Sequence, residues 1–250
     1  MAAGAVLTIE AGAEVKIADY AAINVLGRLE ALGTDASPII FTAAADQWKG
    51  LAFQGPSASG LLQHVTVRRG GLYNPSVTSF AEVAVHNVRP GEVRLEDSLV
   101  TEASGWSSGD TFGITVVDSN FVMSGTTVSG IGCCSDDSAM SVSGPNTVAT
   151  LTGNVFTGNA GITLGVTSVG QAVIDHNDFH GNWFALSIGG DNITVAHNQI
   201  HDNGFNYDPR GGIRISGGSP TISGNVLRNN TSNDQGAIAI GGAARCWSTT

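Results

Sequence analysis

The chain has 250 residues, enough for one large domain or two ordinary ones, and its 42% hydrophobic content can supply a substantial core. Its 21 acidic and 11 basic side chains give a net charge of −10, which disfavours binding to nucleic acids or to anionic membrane surfaces. Because no run of about 18 apolar residues occurs, we expect no transmembrane helix and no membrane insertion.

The first third of the chain predicts short strands. Apolar residues occur in pairs with one residue between them, which is the period of a strand with one buried face. In chain order these pairs are Leu7/Ile9, Val15/Ile17, Ile23/Val25 and Ile39/Phe41. No basic segment precedes Val6, so the N-terminus does not resemble a signal peptide, and secretion would depend on sequence outside these 250 residues.

From residue 62 onward the sequence repeats one frame: an apolar residue, two variable residues, Asn, one variable residue and an apolar residue. In the first three copies Val65, Ser98 and Thr126 replace the Asn. The copies begin at Leu62, Leu95, Met123, Leu151, Ile174, Val195 and Ile222. Their spacings of 33, 28, 28, 23, 21 and 27 residues are typical of single coils of a β-solenoid.

A second series of apolar pairs alternates with this frame, and we expect the residue between each pair to face outward. The pairs are Leu51/Phe53, Val83/Val85, Ile114/Val116, Met140/Val142, Ile162/Leu164, Leu186/Ile188, Ile213/Ile215 and Ile238/Ile240. The outward residues are then Ala52, Ala84, Thr115, Ser141, Thr163, Ser187, Arg214 and Ala239. None of them is acidic, so this face offers no carboxylate for catalysis.

Strands in this order bury their apolar faces if the chain coils and equivalent positions stack about 4.8 Å apart. Aligned Asn side chains can then bond to one another, and they tolerate the left-handed backbone of a sharp corner. The two predicted columns are Asn154, Asn177, Asn198 and Asn225, and Asn159, Asn182, Asn203 and Asn230. We interpret both columns as structural.

These motifs resemble the parallel β-helix repeat proteins of the pectin lyase-like fold. Residues 7–17, 27–34, 38–42 and 48–53 are similar to bacterial secreted and cell-surface members. The resemblance implies an all-β, right-handed parallel β-helix of roughly eight to ten rungs that fills residues 1–250 as one domain. It also implies an extracellular or cell-surface location. The family contains lyases, hydrolases, epimerases, adhesins and proteins without catalysis, so the fold does not decide the activity.

Neither end of the chain carries a helix that would cover the exposed stack. Solenoids usually need polar caps. We therefore expect a fragment of a longer chain whose ends contact flanking domains or another copy end to end.

Four long excursions leave one predicted corner, from Val67 to Val83, Val100 to Ile114, Val128 to Met140 and Ile200 to Ile213. Together with Trp183, they would form a ridge of aromatic and charged residues suited to sugar rings or a calcium ion. The residues concerned are Tyr73, Trp106, Asp110, Asp136, Asp137, Trp183, Phe205, Tyr207, Asp208 and Arg210. Alternatively, the aromatics only cover the side of a thin core.

Residues 207–210 partly resemble the Asp-Pro-His element of alginate epimerases with this fold. Arg210 replaces the His, so only Asp208 matches. The resemblance makes Asp208 a candidate base and Arg210 a candidate partner for a uronate carboxylate. On the neighbouring strand face Glu96 and Asp175 are three rungs apart, about 14 Å, which exceeds the roughly 5–10 Å between paired glycosidase carboxylates.

Two histidine pairs should stack on adjacent rungs, His176 with His197 and His180 with His201. Two imidazoles about 4.8 Å apart could hold a transition metal with Asp178 or Asp202 as third ligand. Asp136 and Asp137 are further metal candidates. The alternative is an ordinary solvent-facing column, because Thr101, Ser129, Thr157 and Arg228 share the position of His180.

The three cysteines cannot form a full disulfide framework. Cys133 and Cys246 should lie four rungs apart, about 19 Å, so we expect no bond from Cys246 to Cys133 or Cys134. Cys133 and Cys134 themselves could form a strained vicinal pair.

Two hypotheses follow. The first is a non-catalytic secreted or cell-surface module that serves as a spacer or a polysaccharide-binding surface. The second is a polysaccharide lyase or uronate epimerase acting on an acidic glycan at the corner ridge. No cofactor is expected, with calcium as the one candidate ion.

Overall fold

A computed structural model describes residues 1–103, 111–134, 137–204, 211–232 and 238–241. Within these ranges the chain forms 27 β-strands and no helix. In chain order the first strands are β1 Val6–Glu10, β2 Glu14–Ile17, β3 Ile23–Val25, β4 Arg28–Leu32, β5 Ile39–Ala43, β6 Leu51–Gln54, β7 Ser59–Gln63, β8 Val65–Arg68, β9 Ala81–His86, β10 Val93–Glu96, β11 Leu99–Thr101, β12 Phe112–Val117, β13 Asn120–Ser124 and β14 Thr127–Ser129. The remaining strands are β15 Ser138–Ser143, β16 Val148–Thr152, β17 Val155–Thr157, β18 Ile162–Thr167, β19 Gln171–Asp175, β20 Asp178–His180, β21 Phe184–Gly189, β22 Ile193–Ala196, β23 Gln199–His201, β24 Gly211–Gly217, β25 Thr221–Ser223, β26 Val226–Arg228 and β27 Ile238–Ile240.

Every third strand belongs to the same parallel sheet, so the chain coils as a right-handed solenoid with three faces. Sheet A runs from β1 to β25, sheet B from β2 to β26 and sheet C from β3 to β27, with nine strands in each. Each strand pairs with the strand three places along the chain. The predicted all-β parallel β-helix is confirmed.

The predicted register is also confirmed strand by strand. Leu62 pairs with Leu95, Leu95 with Met123, and the column continues through Leu151, Ile174, Val195 and Ile222. Because equivalent apolar positions meet on every turn, most buried apolar residues form one cluster from Ile17 to Ile215, and Ala52, Val77, Ala81 and Ala84 form a second. Stacking inside it is direct, as Phe156 and Phe179 show with ring centroids 4.7 Å apart and planes at 3°.

Both predicted Asn columns are hydrogen-bonded ladders. At the corner between sheets A and B, the Asn154 backbone and side-chain N–H groups both donate to Asn177 Oδ1 at 2.9 Å. The same pattern links Asn177 to Asn198 and Asn198 to Asn225. The second ladder runs from Asn159 through Asn182 and Asn203 to Asn230 at the corner between sheets B and C. Both ladders supply partners for buried corner amides, as expected for buried backbone groups.

The left-handed backbone lies one residue before each ladder Asn, not at the Asn itself. His176 and His197 have φ of 53°, and glycines hold the equivalent positions 153 and 224. The expectation that the Asn residues adopt this conformation is therefore wrong. The ladder side chains point into the corner, while the preceding residue makes the turn.

One predicted strand frame is also wrong. Thr163 is fully buried, and Gly165 instead occupies the outward column between Ser141 and Ser187. The reason is that sheet C strands enter the core with two successive side chains: Thr163 and Leu164 are both fully buried, so strict alternation fails at the strand start. The inward pair of β18 is Leu164 and Val166.

Candidate functional site

The predicted long connections all leave the corner between sheets B and C, because each follows a sheet B strand and precedes a sheet C strand. We name the surface of these connections the B–C ridge. The tyrosines and tryptophans that the structure describes all lie in B–C connections: Tyr20, Trp48, Tyr73 and Trp183. The phenylalanines of the described ranges instead lie in strands, with the exception of Phe80. Amphipathic aromatics are thus concentrated on one edge of the solenoid.

The aromatic side chains of the ridge differ in exposure. Tyr20 is 70% exposed and Tyr73 is 43% exposed. Tyr73 packs on Phe80 with ring centroids 5.0 Å apart, which holds the tyrosine ring at the surface. Trp183 is partly buried, whereas Trp48 is fully buried and donates from Nε1 to the Arg68 carbonyl at 3.0 Å. The ridge therefore exposes the rings of Tyr20 and Tyr73, while its buried Trp48 covers part of the core.

Tyr20 lies two turns before Tyr73 and Trp183 four turns after it, so the three side chains are spread over about 29 Å along the axis. Sequence analysis missed Tyr20, although its position between two strand-like pairs could have placed it on this corner. The other residues predicted for the ridge lie outside the described residues, as does Cys246. They are Trp106, Asp110, Asp136, Phe205, Tyr207, Asp208 and Arg210.

Asp137 is buried at the base of the ridge and already accepts three backbone hydrogen bonds. Its Oδ1 accepts from Thr111 N–H at 3.0 Å, and its Oδ2 accepts from Cys133 and Cys134 N–H at 2.7 and 3.0 Å. This carboxylate therefore organises the loop that carries the two cysteines, and backbone donors occupy the oxygens that a metal ion would need.

The Cys133 and Cys134 sulfur atoms are 2.7 Å apart, so the predicted vicinal pair is in contact. The Cys134 side chain raises the pKa of the Cys133 thiol to about 11, and burial and the Asp137 carboxylate act in the same direction. Since the thiolate is the reactive and metal-binding form, Cys133 is a poor nucleophile at neutral pH.

Glu82 on β9 is a buried carboxyl group beneath the ridge. Its Oε1 accepts from Gly70 N–H at 3.0 Å, and Oε2 has no hydrogen-bond partner among the residues that the structure describes. Burial raises the pKa of Glu82 well above its ordinary value, and the Glu102 carboxylate adds to this shift. Sequence analysis did not identify this residue because Glu82 precedes the apolar pair of its strand and looks like an ordinary polar flank.

The two histidine pairs stack on adjacent turns as predicted. Ring centroids of His176 and His197 are 4.9 Å apart, and those of His180 and His201 are 5.3 Å apart with planes at 10°. His180 and His201 are direct partners in the register of β20 and β23. Each pair also has an aspartate within reach, which creates two small clusters on the carboxyl-terminal half of the solenoid.

In the first cluster Asp175 bridges both imidazoles. Its Oδ2 bonds to His176 Nδ1 at 2.8 Å and its Oδ1 bonds to His197 Nδ1 at 2.9 Å. The hydrogen bond from His197, followed by that from His176, lowers the pKa of the Asp175 carboxyl. Sequence analysis proposed Asp178 or Asp202 for the histidines and missed this aspartate.

In the second cluster Asp178 faces both rings. Its Oδ1 lies 3.3 Å from His180 Nδ1 and 3.1 Å from His201 Nε2. On the far side of His201, Asp202 Oδ2 contacts Nδ1 at 2.6 Å. The hydrogen bond from His201 lowers the pKa of Asp202, and the one from Asn229 acts in the same direction. Both aspartates named from the sequence therefore contact this histidine pair.

Glu96 and Asp175 occupy one outward column of sheet A, three strand steps apart. At about 4.8 Å per step they are separated by about 14 Å, so these two carboxylates cannot act as a catalytic pair.

The described residues contain no helix long and apolar enough to cross a membrane.

A family model described as "Right handed beta helix region" matches residues 85–249, which is 165 of the 250 residues. None of the curated proteins matches the chain.

Among solved structures, the Agl-KA catalytic domain is similar to this chain with a TM-score of 0.35 and 11% identity, over 95% of this chain and 61% of that one. The alginate lyase from Paenibacillus sp. str. FPU-7 has a TM-score of 0.30 and 9% identity, over 95% of this chain and 93% of that one. The chain thus spans less than two thirds of the length of the first of these structures.

Proposed function

Because this chain belongs to the right-handed β-helix family, we propose that it is a non-catalytic module of a secreted or cell-surface protein, serving as a spacer that binds polysaccharide along the B–C ridge. The observation that carries the proposal is the segregation of tyrosine and tryptophan to one edge of the solenoid. Tyr20, Tyr73 and Trp183 all lie in B–C connections, and the two tyrosines are well exposed.

Aromatic rings on a rigid edge suit sugar recognition. A ring buries a large apolar area, and the polar end of Tyr or Trp can bond to a hydroxyl group. The three side chains extend over about 29 Å along the axis, which is longer than a single sugar and suits an extended polymer. The contact between Tyr73 and Phe80 limits the conformational entropy that Tyr73 would lose on binding.

The spacer role rests on continuous pairing. Three nine-stranded sheets share one core, and eight strand steps give a length of about 38 Å. Two ladders of buried asparagines tie successive turns together at two corners. Bending such a rod would separate paired strands and open buried hydrogen bonds, so the ends are held at a fixed distance.

The placement of acidic residues on the described sheet faces supports the non-catalytic assignment. Eight residues run along the side of sheet C that faces away from the main core, and none of them is acidic: Ala52, Ala84, Thr115, Ser141, Gly165, Ser187, Arg214 and Ala239. The first three of these are buried. Glu96 and Asp175 on sheet A are too far apart to work together. The competing hypothesis, a lyase or epimerase using Asp208 and Arg210, makes a different prediction in the same experiment.

The test is affinity electrophoresis of the purified chain in gels containing neutral or uronate polysaccharides. We expect retardation by at least one polymer. Tyr20→Ala and Tyr73→Ala should each weaken it by roughly 2- to 12-fold, corresponding to an aromatic contact of about 0.5–1.5 kcal/mol. Tyr73→Phe should retain most of the affinity, and Val148→Ala, an exposed site on sheet A, should have no effect.

Two outcomes would overturn the proposal. Absence of retardation by every polymer, or equal retardation of wild type and both alanine variants, would reject the ridge as a glycan surface. Release of unsaturated uronate products, detected by ultraviolet absorbance, or a change in uronate stereochemistry, detected by NMR, would favour the enzyme hypothesis.

A further inference from the structure

We propose that Asp178, His180 and His201 form a binding site for a divalent transition metal of the zinc type on the outward face of sheet B. We name these three residues the DHH cluster. Asp178 and His180 are two residues apart on β20 and therefore face the same side, and the register of β20 and β23 places His201 beside His180. Two adjacent turns thus present three side chains to one point.

The distances within the DHH cluster fit a tetrahedral ion. Zinc binds imidazole nitrogen and carboxylate oxygen at about 2.0–2.1 Å, so two ligand atoms of a tetrahedron are about 3.3–3.4 Å apart. Asp178 Oδ1 lies 3.3 Å from His180 Nδ1 and 3.1 Å from His201 Nε2. All three ligand atoms are within 4.8 Å of one another.

These atoms are close without forming the hydrogen bonds that such distances usually accompany. Asp178 Oδ1 and His180 Nδ1 are both inaccessible to solvent and have no hydrogen-bond partner among the described residues. Buried polar atoms are normally paired, and unpaired ones cost about 1–3 kcal/mol each. A cation between the carboxylate and the two rings would satisfy both atoms at once.

Asp202 supplies the outer carboxylate that a metal-binding histidine commonly uses. Its Oδ2 contacts His201 Nδ1 at 2.6 Å, and its Oδ1 accepts from Asn229 Nδ2 at 3.0 Å. With the His201 Nδ1 proton donated to Asp202, Nε2 carries the lone pair and faces Asp178. The Arg228 guanidinium lies 3.7 Å from Asp202 Oδ2, so its charge is directed to this outer carboxylate.

The cluster of Asp175, His176 and His197 has similar composition but different geometry. Its two imidazoles bond to separate oxygens of Asp175 at 2.8 and 2.9 Å, so the polar atoms are already paired. His176 and His197 are also 64% and 57% exposed at the side chain, against 36% and 15% for His180 and His201. It is therefore the matched control within the same molecule.

The test is isothermal titration of the tag-free chain with zinc chloride after dialysis against a chelator. We expect one zinc per chain. Position 180 shares its column with Thr157 and Ser129, so His180→Thr and His201→Thr preserve a residue type that the solenoid accepts. Each should weaken zinc binding more than 10-fold, and Asp202→Asn should weaken it by about 10- to 100-fold. His176→Gly and His197→Gly, which take the residue found at the equivalent left-handed positions 153 and 224, should leave the affinity unchanged.

A second measurement separates a metal site from a folding defect. Zinc should raise the melting temperature of wild type and of His197→Gly but not of His180→Thr, because an ion bound only by the folded state stabilises it. Cobalt should give the visible absorption of a tetrahedral site in wild type and in the His197 control variant, but not in His180→Thr. Millimolar binding only, equal losses in the control variants, or an octahedral cobalt spectrum would overturn the proposal.

Discussion

Replacement of Asn177 by alanine tests whether the Asn ladder holds successive turns together. The fully buried Asn177 side chain takes part in four hydrogen bonds. Its Oδ1 accepts from the Asn154 backbone and side-chain N–H groups, and its Nδ2 donates to the Leu151 carbonyl and to Asn198 Oδ1. Alanine removes all four and leaves the buried Asn154 backbone N–H without an acceptor.

The expected destabilisation follows from these contacts. One orphaned buried donor costs about 1–3 kcal/mol, and each of the three further lost bonds costs about 1 kcal/mol, which together give a loss of about 4–6 kcal/mol. For a chain of this size, 1 kcal/mol lowers the melting temperature by about 2–4 °C, so the midpoint should fall by roughly 8–24 °C. Urea denaturation followed by far-ultraviolet circular dichroism measures the free energy directly.

Two variants serve as controls. Thr126 occupies the same column and accepts from Ser98 N–H at 3.3 Å, so Asn177→Thr should recover part of the loss by accepting from Asn154. Asn225 is at the partly exposed end of the ladder, where water can replace the lost bonds, so Asn225→Ala should cost less than Asn177→Ala. If alanine and threonine at position 177 are equally destabilising, hydrogen bonding to the Asn154 amide is not what stabilises this corner.

Two further predictions concern the core. Because the pKa of Glu82 is raised in the folded state, the folded chain keeps a proton that the unfolded chain releases above about pH 4.3, so the contribution of Glu82 to stability falls as the pH rises. Glu82→Gln, measured by urea denaturation at pH 4.5 and pH 8, should gain stability relative to wild type as the pH increases; a pH-independent difference would contradict the assignment. Phe179→Ala should lose about 3–5 kcal/mol because Phe179 is fully buried and stacked on Phe156, whereas Phe179→Leu should lose less than about 1.5 kcal/mol. An equal effect of the two substitutions would mean that the stack is not tightly packed.

The register of this fold could be predicted from the sequence because a single local frame recurs on every turn. Once Asn154 and Asn177 are aligned, every residue between them has a neighbour one turn away, and a fixed rung spacing gives the distance. The stacking of His180 on His201 and the separation of Glu96 from Asp175 follow from the same alignment. The order of side chains along the axis of a solenoid can therefore be predicted from the sequence alone.

What could not be predicted depends on side-chain rotation and on local departures from alternation. Thr163 is buried because two successive residues of β18 point inward, whereas a period of two allows only alternate residues to do so. Asp175 turns its two oxygens to different histidines, and this depends on torsion angles rather than on register. Glu82 is buried by the connection that precedes β9 and folds over it. The repeat does not determine the path of this connection, so the environment of Glu82 could not be predicted.

The DHH cluster occurs where the turns are shortest. The ladder steps from Asn154 to Asn177 and from Asn177 to Asn198 span 23 and 21 residues, against 27 to 33 for the other steps of this column from Val65 onward. Asn177 directly precedes β20 and Asn182 follows it by two residues, so buried hydrogen bonds fix the backbone on both sides of Asp178 and His180. Metal affinity depends on ligands held in place before the ion arrives. The ladders, which sequence alone explains as structural, thereby also provide the rigidity that the proposed metal site requires.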